Sequence, residues 1–246
     1  MARILNEREH TAKRNKILDT AQRLIYTKGF ELMTIQDILD EMGISKGAFF
    51  HYYPSKAELL QALIERMMDE ITTFVQSIVD DPNLTARQKL EGYFSSALHW
   101  KTARKEIMLS LLSVWYQDEN AIVRQKVFSS GIQRVTPALA GIIRQGNQEA
   151  AWDAPFPEET AKILFNLLQG MSDTLGEKLL SPHPILDKLW LTRVLDAYTQ
   201  GVERVLGAPP HSLTILSLED LQSWFTPLAD NPPAAPSNLE PYRMSL

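Results

Sequence analysis

Cysteine is absent from all 246 residues. No disulfide framework and no thiolate metal site can form. Long apolar runs are absent too, and none approaches the roughly 18 residues that a membrane-spanning helix needs. The first residues, MARILNEREH, lack the apolar segment of a secretory signal. A cytoplasmic protein with no membrane partner is expected. Histidine is scarce: His10, His51, His99, His183 and His211 are scattered, without metal-ligand spacing. No metal and no cofactor are expected. Glycine-rich phosphate loops, HExxH and GxSxG are all missing. The acid pairs Asp80-Asp81 and Glu158-Glu159 fall at expected helix ends, where solvated acids are routine. The chain is not expected to be an enzyme.

What remains is ordinary globular material. Hydrophobic residues make up 44% and charged residues 22%, enough for a core of one domain or two. The net charge is −5, but it is unevenly spread. Residues 1–28 carry seven Lys/Arg against three acids, so the rest of the chain is acidic. A basic first segment on an acidic body suits a protein that presents one end to an anionic partner. A solvated basic helix accounts for the same charges.

Apolar residues recur at helical spacing almost everywhere, so the fold is expected to be all-α. The first helix should cover 7–28, burying Ile17, Leu18, Ala21, Leu24 and Ile25 and ending on Gly29 as a left-handed cap. Thr34, with Asp37 three residues on, should cap a short helix whose apolar face is Ile35, Ile38 and Leu39. Gly43 breaks that helix, and Ser45 caps another that ends near Tyr52. Ser55 follows Pro54 and caps a longer helix to about 79. Further helices are expected over 85–103, 105–117, 119–146 (bent at Pro137), 158–180 and 184–206, with a loop at 152–157. Seven prolines mark the tail after Gly207, which should be an extended arm with one short amphipathic stretch at 218–225. Beyond about Asp230 that arm is expected to be disordered. The expected organisation is 1–54 for a helix-turn-helix domain, 55–207 for a helical body entered by a connecting helix at 55–79, and 208–246 for the proline-rich tail.

Two short helices joined by a tight glycine-containing turn and braced by a longer one form a helix-turn-helix. In that arrangement the first short helix crosses the phosphates and the second enters the major groove. Each part is present. Thr34 offers a hydroxyl at the first helix start. Ser45, Lys46, Gly47 and Ala48 open the second with small and donor groups. Phe50, His51, Tyr52 and Tyr53 close it, and Lys56 stands in the first turn of the next helix, where a phosphate would offset its unfavourable place in the dipole. Thr34, Ser45 and Ser55 are cap residues in any protein, and Phe49, Tyr53 and Leu59 suit the core of the small domain.

The run Thr34-Ile35-Gln36-Asp37-Ile38, followed by Gly43 through Leu60 (GISKGAFFHYYPSKAELL), closely resembles the tetracycline-repressor-like (TetR) family of regulators. The matching block covers about residues 13–66; the remainder resembles the family in helix layout and length. The resemblance implies an all-α homodimer in which an N-terminal three-helix DNA-binding domain joins a C-terminal ligand-binding and dimerisation domain. Carried over by position, Thr34, Ser45, Lys46, Gly47, Phe50, His51, Tyr52 and Lys56 are the expected DNA-binding residues. Lys46 suits a guanine edge; Thr34, His51, Tyr52 and Lys56 suit phosphates. Family members usually have tyrosine where this chain has Phe50, which loses a phosphate hydrogen bond and leaves packing on a sugar or a thymine methyl.

Dimerisation is expected of the last two long helices. Leu164, Leu168, Gly170, Met171 and Leu175 on one, and Leu191, Val194, Tyr198, Gly201 and Val205 on the other, form stripes with small residues at the crossing; the monomer core would use the same stripes. Tyr93, Phe94, His99, Trp100, Met108, Trp115, Tyr116 and Phe128 combine aromatic and polar groups as a ligand pocket does, and as ordinary core also does. The expected function is a sequence-specific DNA-binding regulator, a homodimeric repressor released from a palindromic double-stranded operator by a small apolar or amphipathic effector. The alternative is a helical dimeric small-molecule or protein-binding module without DNA binding.

Overall fold

Helical periodicity is realised throughout the described residues, which are 2–181 and 187–226, with side chains from Glu7 onward, in a computed structural model. No strand occurs among them. The helices are α1 (Ala2–Leu32), α2 (Ile35–Met42), α3 (Lys46–Tyr52), α4 (Lys56–Asp80), α5 (Ala86–Thr102), α6 (Lys105–Trp115), α7 (Ala121–Gln148), α8 (Pro157–Leu179), α9 (Lys188–Leu206) and α10 (Leu218–Phe225). A 3-10 turn at Asp118–Asn120 precedes α7. α7 continues through Pro137, whose missing N–H leaves the Gln133 carbonyl without its helical donor.

The described residues form two compact units. One comprises Met1–Met68 with Glu106–Phe128; the other comprises Asp69–Lys105 with the chain from Ser129 onward. The helices expected within 1–54 lie in the first unit, which also takes in α6 from Glu106 and the start of α7.

In the first unit, Ile17, Leu18, Ala21 and Ile25 of α1, Ile38 and Leu39 of α2, Phe49 of α3 and Leu59, Leu60 and Leu63 of α4 are all buried. Arg66 of α4 bonds to Asp19 and Gln22 of α1, at 2.6 Å to the carboxylate. Gly29 does not form the expected left-handed cap. Its φ is positive (78°), but its ψ of 161° is extended, a combination essentially reserved for glycine, and helical turns resume to Leu32. The reason is tertiary: the Phe30 N–H turns to donate to Ser110 Oγ on α6 at 3.0 Å.

In the second unit, Leu90 and Tyr93 of α5, Leu139, Ile142 and Ile143 of α7, Leu164 of α8 and Val202 and Leu206 of α9 share a core. Trp152, in the expected loop, is part of it, and its indole N–H donates to the Ile143 carbonyl at 3.0 Å. Gly146 makes room for that indole, since a Cβ there would lie 1.9 Å from it. α9 starts later than expected, at Lys188, because Asp187 is extended and its carboxylate caps the Trp190 N–H at 3.0 Å.

After Gly207, a left-handed cap with φ 66°, the chain runs back over α5 and α9. The buried Glu203 carboxylate accepts the Leu213 N–H at 3.1 Å, and Glu91 accepts the Thr214 N–H at 2.8 Å. Leu213, Ile215 and Leu221 of α10 are buried. Trp224 donates to Thr102 Oγ1 at 2.9 Å, and Lys105 donates to the Ser223 and Thr226 carbonyls at 2.7 and 2.6 Å. The amphipathic stretch expected at 218–225 is thus a helix docked on α5 and α9; the disorder expected beyond about Asp230 lies outside the described residues.

Candidate nucleic-acid interface

Local chemistry sets the two short helices. Thr34 Oγ1 accepts the Asp37 N–H at 3.1 Å, and the Asp37 carboxylate accepts the Thr34 N–H at 2.7 Å, a complete capping box. Lys28 of α1 pairs with Asp37 at 2.7 Å. That hydrogen bond first, and the Thr34 backbone bond second, hold the Asp37 carboxyl down at about 2. Gly43 adopts the left-handed conformation (φ 63°, ψ 37°) that turns the chain from α2 into α3. Ser45 Oγ caps α3 by accepting the Ala48 N–H at 3.2 Å.

Packing then fixes which face of α3 points outward. Phe49 and Tyr53 are almost wholly buried. The Tyr53 hydroxyl donates to the Arg14 carbonyl at 3.2 Å, and the Arg14 guanidinium sits 5.0 Å from its ring centre. Burial pushes the Tyr53 hydroxyl up to about 12, so it stays a neutral core group. With that face anchored, Ser45, Lys46, Gly47 and His51 stand exposed, with Phe50 and Tyr52 half-buried beside them. Thr34 is exposed at the start of α2. Lys46 Nζ lies 5.9 Å from the Phe50 ring centre, a loose approach that leaves its ammonium open to solvent. Among the described residues, nothing outside its two neighbours and its own helix backbone lies within 4 Å of where a Gly47 Cβ would be. Internal packing therefore gives no reason for glycine there, although glycine weakens a helix by about 1 kcal/mol relative to alanine.

Lys56 is placed differently from the rest. Its ammonium donates to the Glu31 carbonyl at 3.2 Å and lies 4.6 Å from the Phe30 ring centre. Desolvation lowers its pKa, against the raising influence of Glu119, Glu31 and Asp37. Its unfavourable place at the α4 start thus has an explanation inside the protein. His10 of α1 was not singled out by its sequence position, yet its ring meets both His51 (centroids 5.6 Å) and Tyr52 (4.7 Å). About forty residues separate the partners, and no periodicity links them.

The eight residues of the pocket expectation are not gathered in either unit. Tyr93, Phe94, His99 and Trp100 lie in the second, and Met108, Trp115, Tyr116 and Phe128 in the first. Tyr93 and Trp100 are buried; Tyr93 meets the Phe94 ring edge-on at 5.3 Å, and Arg104 lies 4.0 Å over Trp100. Burial alone raises the Tyr93 hydroxyl to about 12. The stripes of α8 and α9 meet each other within one chain. A Cβ at Gly170 would lie 3.3 Å from Tyr198 Oη, and one at Gly201 would lie 3.1 Å from Leu167. Leu164, Met171 and Leu191 are buried in their own protomer; Leu168, Leu175, Val194 and Val205 are half-buried, and Ile163 and Ala197 are exposed. Among the described residues no group of three or more His, Cys, Asp or Glu is arranged to hold a metal, and no helix is long and apolar enough to cross a membrane.

Comparison with known proteins bears on both units. Residues 17–63 match the family described as bacterial regulatory proteins, tetR family. Residues 113–174 match the family described as tetracyclin repressor-like, C-terminal domain. The HTH-type transcriptional regulator YuxN of Bacillus subtilis is 26% identical over 230 residues, covering 90% of this chain and 73% of that protein. The HTH-type transcriptional regulator EthR of Mycolicibacterium smegmatis is 30% identical over 140 residues, 50% of this chain and 64% of that one. A TetR transcription regulator from Haloarcula marismortui shares the fold, with a TM-score of 0.55 at 19% identity over 80% of this chain and 97% of that one.

Proposed function

We propose that this chain is a TetR-type transcriptional regulator whose α2 and α3 dock a homodimer on a palindromic DNA operator from which a small ligand releases it. The observation that carries the DNA reading is the outward face of α3. Ser45, Lys46, Gly47 and His51 are exposed together on a helix pinned from behind by Phe49 and Tyr53, and nothing inside the chain asks for a glycine at 47. A small residue there lets the helix backbone approach a groove. Lys46 reads a guanine edge, whereas Thr34, Ser45, His51 and Tyr52 bind phosphate and set the register. Phe50 packs on sugar or a thymine methyl. Lys56 keeps its Glu31 bond and offers a phosphate one of its remaining ammonium protons.

The dimer uses the outer faces of α8 and α9, flanking the Gly170–Tyr198 and Gly201–Leu167 approaches that close the pair within one chain. Ile163 and Ala197, each one turn before a residue of that crossing, are exposed there. Two-fold symmetry then places two α3 helices about one helical turn of DNA apart, ~34 Å or a multiple of it. The effector is small and apolar or amphipathic, and its site belongs to the helices after α4. The protein works in the cytoplasm and performs no chemistry on its ligand.

Selection of duplexes from a random pool tests this reading. The expected outcome is an enriched palindrome whose affinity falls steeply between two salt concentrations through counterion release. Lys46→Ala should relax the preference at one base pair of each half-site. No enrichment, or binding that ignores salt, would overturn the assignment.

A further inference from the structure

His51 and Tyr52 are neighbours on the last turn of α3, and consecutive helical residues point about 100° apart, so their side chains do not hold each other in place by sequence alone. Here a third ring closes the gap. His10, from the early part of α1, approaches His51 edge-on (5.6 Å, 82° between planes) and tilts over Tyr52 (4.7 Å, 44°). His51 and Tyr52 themselves meet edge-on at 5.2 Å and 81°. All three rings belong to the first unit. His10 and His51 are exposed and Tyr52 is half-buried, so the cluster lies at the surface rather than in the apolar core.

Edge-to-face and tilted ring pairs are attractive beyond the area they bury. An exposed ring that is already held loses less freedom on binding than one free to rotate. We propose that His10 is a positioning residue for DNA binding: its ring orders His51 and Tyr52 of α3 before the duplex arrives, so that their polar atoms meet phosphate without reorganisation. This rests on the reading of α3 as the DNA-binding helix. The device ties α1 to the far end of α3, whereas the Lys28–Asp37 pair ties α1 to the start of α2. The helix-turn-helix is thereby fastened to α1 at both ends, by charge at one and by edge-on and tilted rings at the other.

The experiment uses full-length protein and the palindromic duplex that wild type enriches from a random pool. His10→Ala should lower the unfolding temperature by no more than a few degrees, because His10 is exposed and only its ring contacts are lost. Its affinity for the duplex should fall about three- to tenfold, the range an aromatic pair supplies. The salt dependence should stay close to that of wild type, because no Lys or Arg contact to phosphate is lost. His10→Phe, which keeps the ring and removes the nitrogens, should restore the affinity. In a Tyr52→Ala background, His10→Ala should cost much less than in wild type. In the free protein, His10→Ala should shift the ring-proton NMR signals of Tyr52. Wild-type affinity in His10→Ala would overturn the proposal. So would a His10→Phe variant as weak as His10→Ala, which would make the imidazole a direct DNA ligand. A wild-type protein that retains no duplex at all would instead overturn the DNA reading itself, and the inference with it.

Discussion

Asp37 serves three neighbours with one carboxylate: the Thr34 N–H, the Thr34 hydroxyl and the Lys28 ammonium. Its carboxyl is held at about 2, below its ordinary 3.8, so it is the ionised form that stabilises the fold. That contribution is complete above about pH 4 and is lost as pH falls toward 2. Thermal unfolding of wild type and Asp37→Asn should therefore differ at neutral pH, and the gap should close as the pH approaches 2. Thr34→Ala, which removes the other half of the box, should cost about 1 kcal/mol in chemical denaturation. Gly47 separates stability from function. Its surroundings are open and its conformation is helical, so Gly47→Ala should stabilise the free protein by up to about 1 kcal/mol. On the proposed docking of α3, the same variant should bind the operator more weakly in a mobility-shift titration, because the added methyl would stand where the duplex approaches.

At the level of elements, the segment after α9 is anchored in the second unit by burial and hydrogen bonds. It contributes Leu213, Ile215 and Leu221 to buried positions, and its N–H groups satisfy the Glu203 and Glu91 carboxylates. Lys105 closes the end of α10, placing a cation where the last carbonyls and the helix dipole favour one. Leu221→Ala should lower the unfolding free energy by about 2–5 kcal/mol, measured by denaturant titration. Lys105→Ala should loosen α10 selectively, seen as faster amide exchange at Trp224 and Phe225 with the α8 amides unchanged. Equal exchange in both proteins would mean that the apolar contacts alone hold the helix.

For the whole molecule, charge decides how DNA is met. An overall −5 with a basic first 28 residues orients the protein toward a polyanion and weakens contact through any other face. Duplex binding should therefore fall by orders of magnitude between about 50 and 200 mM salt despite the acidic isoelectric point. The proposed dimer adds a second test. Ile163→Arg puts a charge on the outer face of α8; light scattering should show monomers, and operator affinity should drop because each half-site is then bound singly. A variant that remains dimeric with full affinity would place the interface elsewhere.

Local chemistry was readable without coordinates. Thr34, Ser45 and Asp37 determine their caps within a few residues, and Phe49, Tyr53 and Leu59 announce their burial by helical spacing, so α2, α3 and the face they present followed from the sequence alone. The all-helical class and the amphipathic stretch at 218–225 followed for the same reason. Long-range partners did not. Gly29 was expected to end α1 as a simple cap, but Ser110, eighty residues away, sets its conformation. Lys56 was expected beside a phosphate, and only the fold decided that it also meets the Glu31 carbonyl and the Phe30 ring. Gly170 and Gly201 announced a close helix crossing, yet only the fold decided that α8 and α9 of one chain make it. His10 meets Tyr52 only because the core of α1, α2 and α4 sets where α3 sits. A hydrogen bond to a near neighbour is written in spacing, whereas a contact between distant segments exists only once the apolar core has fixed where both helices lie.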